Sequence, residues 1–173
     1  MYSPVLLYTC FLSILGLIDG LSIPIHQDSL KNLVKLQADT IIHRIKEHNE
    51  KLNLSPKILI GDSELYPEVP ADKPIQGLGS IIDTLTTFQK VLQTLPRGYA
   101  SQLRSDVSTL LDCFKDRMAF MRCTPKEPAN GKSLDTFIEK NATHHITFGY
   151  MALDRLTQFM QKLIVNLDQL KSC

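Results

Sequence analysis

Four stretches of helical hydrophobic period follow an apolar leader in this chain, and the connections between them run long, short, long. That order constrains the direction of every helix. A connection of about three residues joins only antiparallel neighbours, whereas one of about two dozen can return along a rod of roughly 30 Å and start the next helix in the same direction. The chain is therefore predicted to be all-α, a four-helix bundle of up-up-down-down topology with two long crossover loops.

The first helix is expected to start at Asp28 or Ser29, either of which can accept a bond from an otherwise unpaired first-turn amide. Leu30, Leu33, Val34, Ala38, Ile41, Ile42 and Ile45 recur at three- and four-residue steps, a stripe about four turns long that runs out in the charged stretch 46–51. Pro56, Gly61, Pro67, Pro70 and Pro74 then rule out a long helix and mark the first crossover. The second stripe is Leu78, Ile81, Ile82, Leu85, Phe88, Val91, Leu92 and Leu95, stopped by Pro96. Only Pro96-Arg97-Gly98 separate it from the third, Leu103, Val107, Leu110, Leu111, Phe114, Met118 and Met121. Pro125, Pro128, Asn130 and Gly131 open the second crossover, in which a short helix could form over 134–140. The last stripe holds Ile146, Tyr150, Leu153, Leu156, Met160, Leu163, Ile164, Leu167 and Leu170.

Amphipathic faces of this kind are normally buried against one another. Each Leu or Ile so buried contributes about 2 kcal/mol, which lets a set of such stripes offset the ordering entropy of one domain. A bundle that opens on lipid would carry the same pattern, and liposome flotation separates the two.

The leader sets the compartment. Residues 5–18 are almost uninterruptedly apolar, and Gly20-Leu21-Ser22 supplies the small residues that signal peptidase reads. A run of about 14 apolar residues is short of the roughly 20 that span a hydrocarbon core. Residues 1–22 are thus expected to be a signal peptide cut after Ser22, and 23–173 a secreted, extracellular domain. The leader carries one acid, Asp19, and no base, so its removal takes the net charge from +1 to about +2. That balance offers neither nucleic acid nor an anionic membrane the concentrated basic face it would need. Trp is absent and Gly is sparse, which speaks against an all-β or solenoid fold.

Cys10 leaves with the leader, so Cys113, Cys123 and Cys173 remain in an oxidising compartment. If the third and fourth helices are parallel, Cys123 and Cys173 lie just past their ends at the same tip of the bundle. Cys113 sits about ten residues earlier, some 15 Å along the axis, beyond disulfide reach. The bridge is therefore expected between Cys123 and Cys173, worth around 4 kcal/mol on the chain-entropy account of closing such a loop. Cys113, on the flank of its stripe beside Asp112, reads as a partly covered thiol, with dimerisation or thiol chemistry as the alternative.

Catalytic chemistry finds no footing. His144 and His145 are adjacent, about 100° apart on a helix, and His43 and His48 miss the four-residue ligand step, so no metal is expected. No nucleophile elbow, glycine-rich phosphate loop or HExxH occurs. Asp62, Glu64 and Glu68 in their proline-flanked loop read as a solvated acidic patch. No enzyme activity and no cofactor are called for. Asn141-Ala142-Thr143 is an N-glycosylation acceptor. A secreted carrier that holds an apolar ligand in the bundle core is the alternative function.

Several runs carry a family resemblance: Ile23-Pro24-Ile25, His43-Arg44-Ile45, residues 85–96 (LTTFQKVLQTLP), Gln102-Leu103-Arg104-Ser105-Asp106, and Leu153-Asp154-Arg155-Leu156 ahead of Cys173. In order and spacing they resemble the leptin family of long-chain helical cytokines, in a non-mammalian, fish-like form, over essentially all of 23–173. The resemblance implies a monomeric hormone that binds and clusters a class I cytokine receptor through its ectodomain to regulate appetite and energy balance. It also implies a main receptor-binding face on the first and third helices, at Asp39, Thr40, Arg44, Gln102, Thr109, Asp112 and Cys113. On the third helix, polar residues including Gln102, Thr109 and Asp112 fall on the side away from the apolar stripe. A second receptor surface would involve Leu65 and Tyr66 in the first crossover, where Glu64-Leu65-Tyr66-Pro67 stands in place of the family's Leu-Asp-Phe-Ile, together with Thr147 and Phe148 at the start of the last helix.

Overall fold

The computed structural model describes residues 27–53, 73–96, 98, 100–125, 135–136, 138–139 and 145–173. Among these the secondary structure is helical throughout, with no strand. Helices α1 (Gln27–Lys51), α2 (Gly77–Thr94), α3 (Ser101–Phe120) and α4 (His145–Val165) follow in order, and a 3-10 segment (Leu167–Lys171) closes the chain. The signal-peptide cut and Asn141 lie outside the described residues. Of the short helix expected over 134–140, Asp135, Thr136, Ile138 and Glu139 are helical and the rest lies outside them.

Local signals set the helix ends. The charged stretch after the apolar stripe of α1 forms its last turns, where Lys46 and Glu50 make an i,i+4 ion pair at 4.0 Å. Asn53, in the left-handed region at φ 49°, turns the chain away. Leu95 stops α2 in the extended conformation that a following proline demands. One Arg104 Nη donates to the carbonyls of Leu95 at 2.5 Å and Pro96 at 3.1 Å, so the first turns of α3 satisfy the end of α2. α3 ends in a Schellman motif: the amide of Cys123 bonds the carbonyl of Met118 and that of Arg122 bonds Ala119, both at 3.0 Å, with Arg122 at φ 56°.

α1 packs chiefly on α4 and α2 on α3, while α1–α3 and α2–α4 contacts close the square. Val34, Ala38, Ile41 and Ile45 of α1 meet the buried lines of the other helices, and Phe88 of α2 faces Phe159 of α4 with ring centroids 6.1 Å apart. Burial of these side chains, each worth about 1.5–3 kcal/mol, is what holds the four helices together.

At one end of the bundle Lys31, early in α1, pairs with Asp168 of the 3-10 segment at 2.5 Å. The first amides of α2 bond the carbonyls of Ser172 and Cys173. Cys123, past α3, is bridged to Cys173 with an S–S distance of 2.10 Å and Cα atoms 5.5 Å apart. The starts of α1 and α2 thus meet the chain after α3 and after α4 at this tip. The expected Cys123–Cys173 bridge is present, and Cys113, half-buried on α3, lies outside it.

The apolar stripe of the last helix is found where expected from Leu153 to Leu170 and differs at its start. Ile146, assigned to the core, is 62% exposed, whereas Phe148 is buried. Leu153, Leu156, Met160, Leu163 and Leu170 are buried as expected, and Phe148, Ala152 and Phe159 join them. Among the described residues no helix is long and apolar enough to cross a membrane.

Candidate functional site

Seven of the expected site residues lie on α1 and α3, and Arg44 and Gln102 meet where the two helices pack. Thr40 and Arg44 are one turn apart, so they stand one above the other on α1. Arg44 reaches across to α3, its Nε 3.1 Å from Asp106 Oδ2. Gln102, a turn before Asp106 and exposed, donates from Nε2 to Asp106 Oδ1 at 3.1 Å. Both oxygens of one carboxylate are therefore engaged by residues of this face, which orients Arg44 against α3.

The remaining positions differ in what they present. The Thr40 hydroxyl donates to the Leu36 carbonyl at 2.8 Å and that of Thr109 to the Ser105 carbonyl at 2.9 Å, so both are turned back on their own helices. Asp39 is exposed. Asp112 is exposed with Lys115 one turn on at 3.9 Å, a spacing at which a surface pair holds its partner loosely. Cys113 is half-covered beside it. Leu36, 57% exposed, and Phe120, 56% exposed, add apolar surface to the outer sides of α1 and α3; the Arg117 guanidinium lies 5.5 Å from the centre of the Phe120 ring.

Asp106 is a member of this face that the expected site lacks. Its signal is present in the sequence: an acid four residues after Gln102, on a helix facing a lone arginine.

The second expected surface is only partly placed. Leu65 and Tyr66 lie outside the described residues. Thr147 is exposed at the start of α4, but Phe148 is 7% exposed and belongs to the core, so its ring is not available to a partner there. Ile146, two positions earlier, carries the exposed apolar side chain instead.

Elsewhere the titratable groups serve structure. Burial, with Lys51 nearby as the smaller cause, pushes the His48 imidazole below its ordinary value. The hydrogen bond and charge of Lys31, and then Lys171, hold the Asp168 carboxyl below its usual range. Among the described residues no three His, Cys, Asp or Glu side chains are grouped so as to hold a metal ion.

Against known proteins, the family model described as leptin matches residues 24–173. Leptin of Mus musculus is 27% identical over 165 residues, covering 93% of this chain and 92% of its own. Leptin-B of Oryzias latipes is 26% identical over 147 residues, 85% of this chain and 82% of its own. Leptin of Gallus gallus is 28% identical over 153 residues, 86% of each. Similarity to these mammalian, fish and bird proteins is thus nearly equal.

Proposed function

The chain belongs to the leptin family, and on that premise we propose that it is a secreted, monomeric hormone that binds and clusters a class I cytokine receptor, with appetite and energy balance as the regulated output. Residues 1–22 are its signal peptide and 23–173 the hormone, which uses no cofactor and catalyses no reaction. Its mechanism is binding alone: two surfaces engage separate receptor chains, and bringing these together activates kinases outside this protein.

The observation that carries the reading is the family match over 24–173 combined with the α1–α3 face. There Asp39, Gln102 and Asp112 are exposed, and Arg44 is held by Asp106. Thr40, Thr109 and Cys113 are half-covered, and a polar surface with partly covered positions suits a transient protein partner. The second surface is assigned to Thr147 with Leu65 and Tyr66. Ile146 is a better apolar contact there than the buried Phe148. The core, filled by Phe88, Phe114, Phe159 and their aliphatic neighbours, supports a hormone over a carrier of an apolar ligand.

The test is binding of the secreted protein to the extracellular part of a leptin-type receptor by surface plasmon resonance. Asp112→Arg is the variant of choice, because reversing Arg44 would also break its pair with Asp106. A hot-spot position should lose roughly thirtyfold in affinity or more, with unchanged circular dichroism. Full binding by Asp112→Arg would show the face to be misassigned, and no binding by the unaltered protein would remove the receptor reading.

A further inference from the structure

The start of α2 has no side-chain cap from Gln76, the residue before it. Helix starts leave backbone amides without intrahelical partners, and each needs one when water is excluded. Here the amide of Gln76 donates to Ser80 Oγ at 2.7 Å. The next three are all supplied by the chain after α4: Gly77 donates to Gln169 Oε1 at 3.0 Å, Leu78 to the Ser172 carbonyl at 2.9 Å, and Gly79 to the Cys173 carbonyl at 2.9 Å. A segment almost a hundred residues away in sequence supplies the acceptors that a Ser or Asp normally provides locally.

Two glycines make the approach feasible. A Cβ on Gly77 would come 2.6 Å from the Cys173 carbonyl carbon and 2.9 Å from the Ser172 oxygen, and its φ of +76° is one that side chains rarely adopt. A Cβ on Gly79 would lie 3.1 Å from the Cys173 oxygen. The distal segment is held from two sides. Leu170 is fully buried, the Ser172 amide bonds the Gln169 carbonyl at 3.2 Å, and three residues beyond Leu170 the Cys123–Cys173 bridge ties down the last residue covalently.

We propose that this bridge is a redox-dependent clamp on the first turn of α2. Oxidised, it holds the Ser172 and Cys173 carbonyls on the Leu78 and Gly79 amides. A dithiol reductant delivers two electrons and two protons to the bridge, leaving the thiols of Cys123 and Cys173 while its own sulfurs join as a disulfide. The segment after Leu170 then swings free and the first turn of α2 frays. The remainder of the bundle, including Arg44 and Asp106 toward its other end, keeps its packing. Reduction therefore loosens one tip of the molecule and spares the α1–α3 face.

The experiment is residue-resolved amide exchange by NMR on the full chain, before and after dithiothreitol, with Gly79→Ala in the oxidised state as an independent way to push the carbonyl off. Leu78 and Gly79 should exchange about tenfold faster on reduction, the loss of one hydrogen bond of ordinary net strength, while Leu110 and Leu111 of α3 stay as they were. The Gly79→Ala variant should reproduce the acceleration at Leu78 with the bridge intact. Unchanged exchange at Leu78 and Gly79 after reduction would overturn the clamp, since Leu170 would then suffice. Equal acceleration in all helices would overturn it too, because the bridge would be supporting the whole fold.

Discussion

Arg44 of α1 and Asp106 of α3 form an ion pair across the helix interface, Nε to Oδ2 at 3.1 Å, with side chains 32% and 19% exposed. Partial cover leaves the pair less screened than one in open water. Gln102 on the second carboxylate oxygen limits the rotamers of Asp106. A double-mutant cycle of Arg44→Ala and Asp106→Ala, read by urea unfolding, should give a coupling of about 0.5–1 kcal/mol that shrinks in 1 M salt. A coupling of zero would mean that each residue is held by its own helix.

Phe88 is 1% exposed and stacks obliquely on Phe159, joining α2 to α4. Phe88→Ala should cost about 3–5 kcal/mol, the transfer free energy of the ring plus the cavity left in a packed interior. Leu36→Ala, on a side chain 57% exposed, should stay within about 0.5 kcal/mol of the unaltered protein. Thermal unfolding of the two variants checks both, and similar losses would mean that the α2–α4 interface is not the centre of the core.

The parts of this structure legible in sequence are those that depend on period and connection length. The stripes of α2 and α3 and the short turn between them are found where the 3.6-residue repeat and Pro96 put them. The Cys123–Cys173 bridge follows because helix direction decides which cysteines share a tip. α4 is legible as a helix, and in register from Leu153 onward, but not at its start. There, apolar residues cover so much of the circumference that Ile146 and Phe148 compete for the core, and Phe148 takes the buried place. Gln37 and Thr84 are buried although polar, and Thr84 is accommodated because its hydroxyl donates to the Ser80 carbonyl of its own helix. The cap on α2 leaves no trace in sequence, since two of its acceptors are backbone carbonyls that every residue type carries. On the candidate face the residues come from family resemblance, whereas the pairing of Asp106 with Arg44 emerges only when α1 and α3 are placed side by side.

Arg122 occupies the left-handed position of the Schellman motif that ends α3, at φ 56°, where glycine is the usual residue. A side chain there costs about 1 kcal/mol or somewhat more, part of which glycine would return as entropy of the unfolded chain. Arg122→Gly should therefore raise stability by about 0.5–1 kcal/mol in urea unfolding while leaving the neighbouring Cys123–Cys173 bridge formed. Destabilisation would mean that the Arg122 side chain makes a contact worth more than the strain.

His48, in the last turns of α1, has its imidazole pushed below the ordinary 6.5 chiefly by burial and secondarily by Lys51. Both causes disfavour the cation, so the folded state binds a proton less readily than the unfolded chain. The stability this contributes is present in full above the unfolded value. It declines as pH falls below 6.5 toward the lowered folded value, and beneath that it is gone. An NMR titration should place His48 under 6.5, and Lys51→Gln should bring it only part of the way back, because burial is the larger cause. Replacing the imidazole by His48→Gln should flatten the corresponding part of the melting-temperature profile between those two pH values. Titration of His48 at or above 6.5 would mean that the end of α1 is open to water, and full recovery in Lys51→Gln would make charge, not burial, the governing cause.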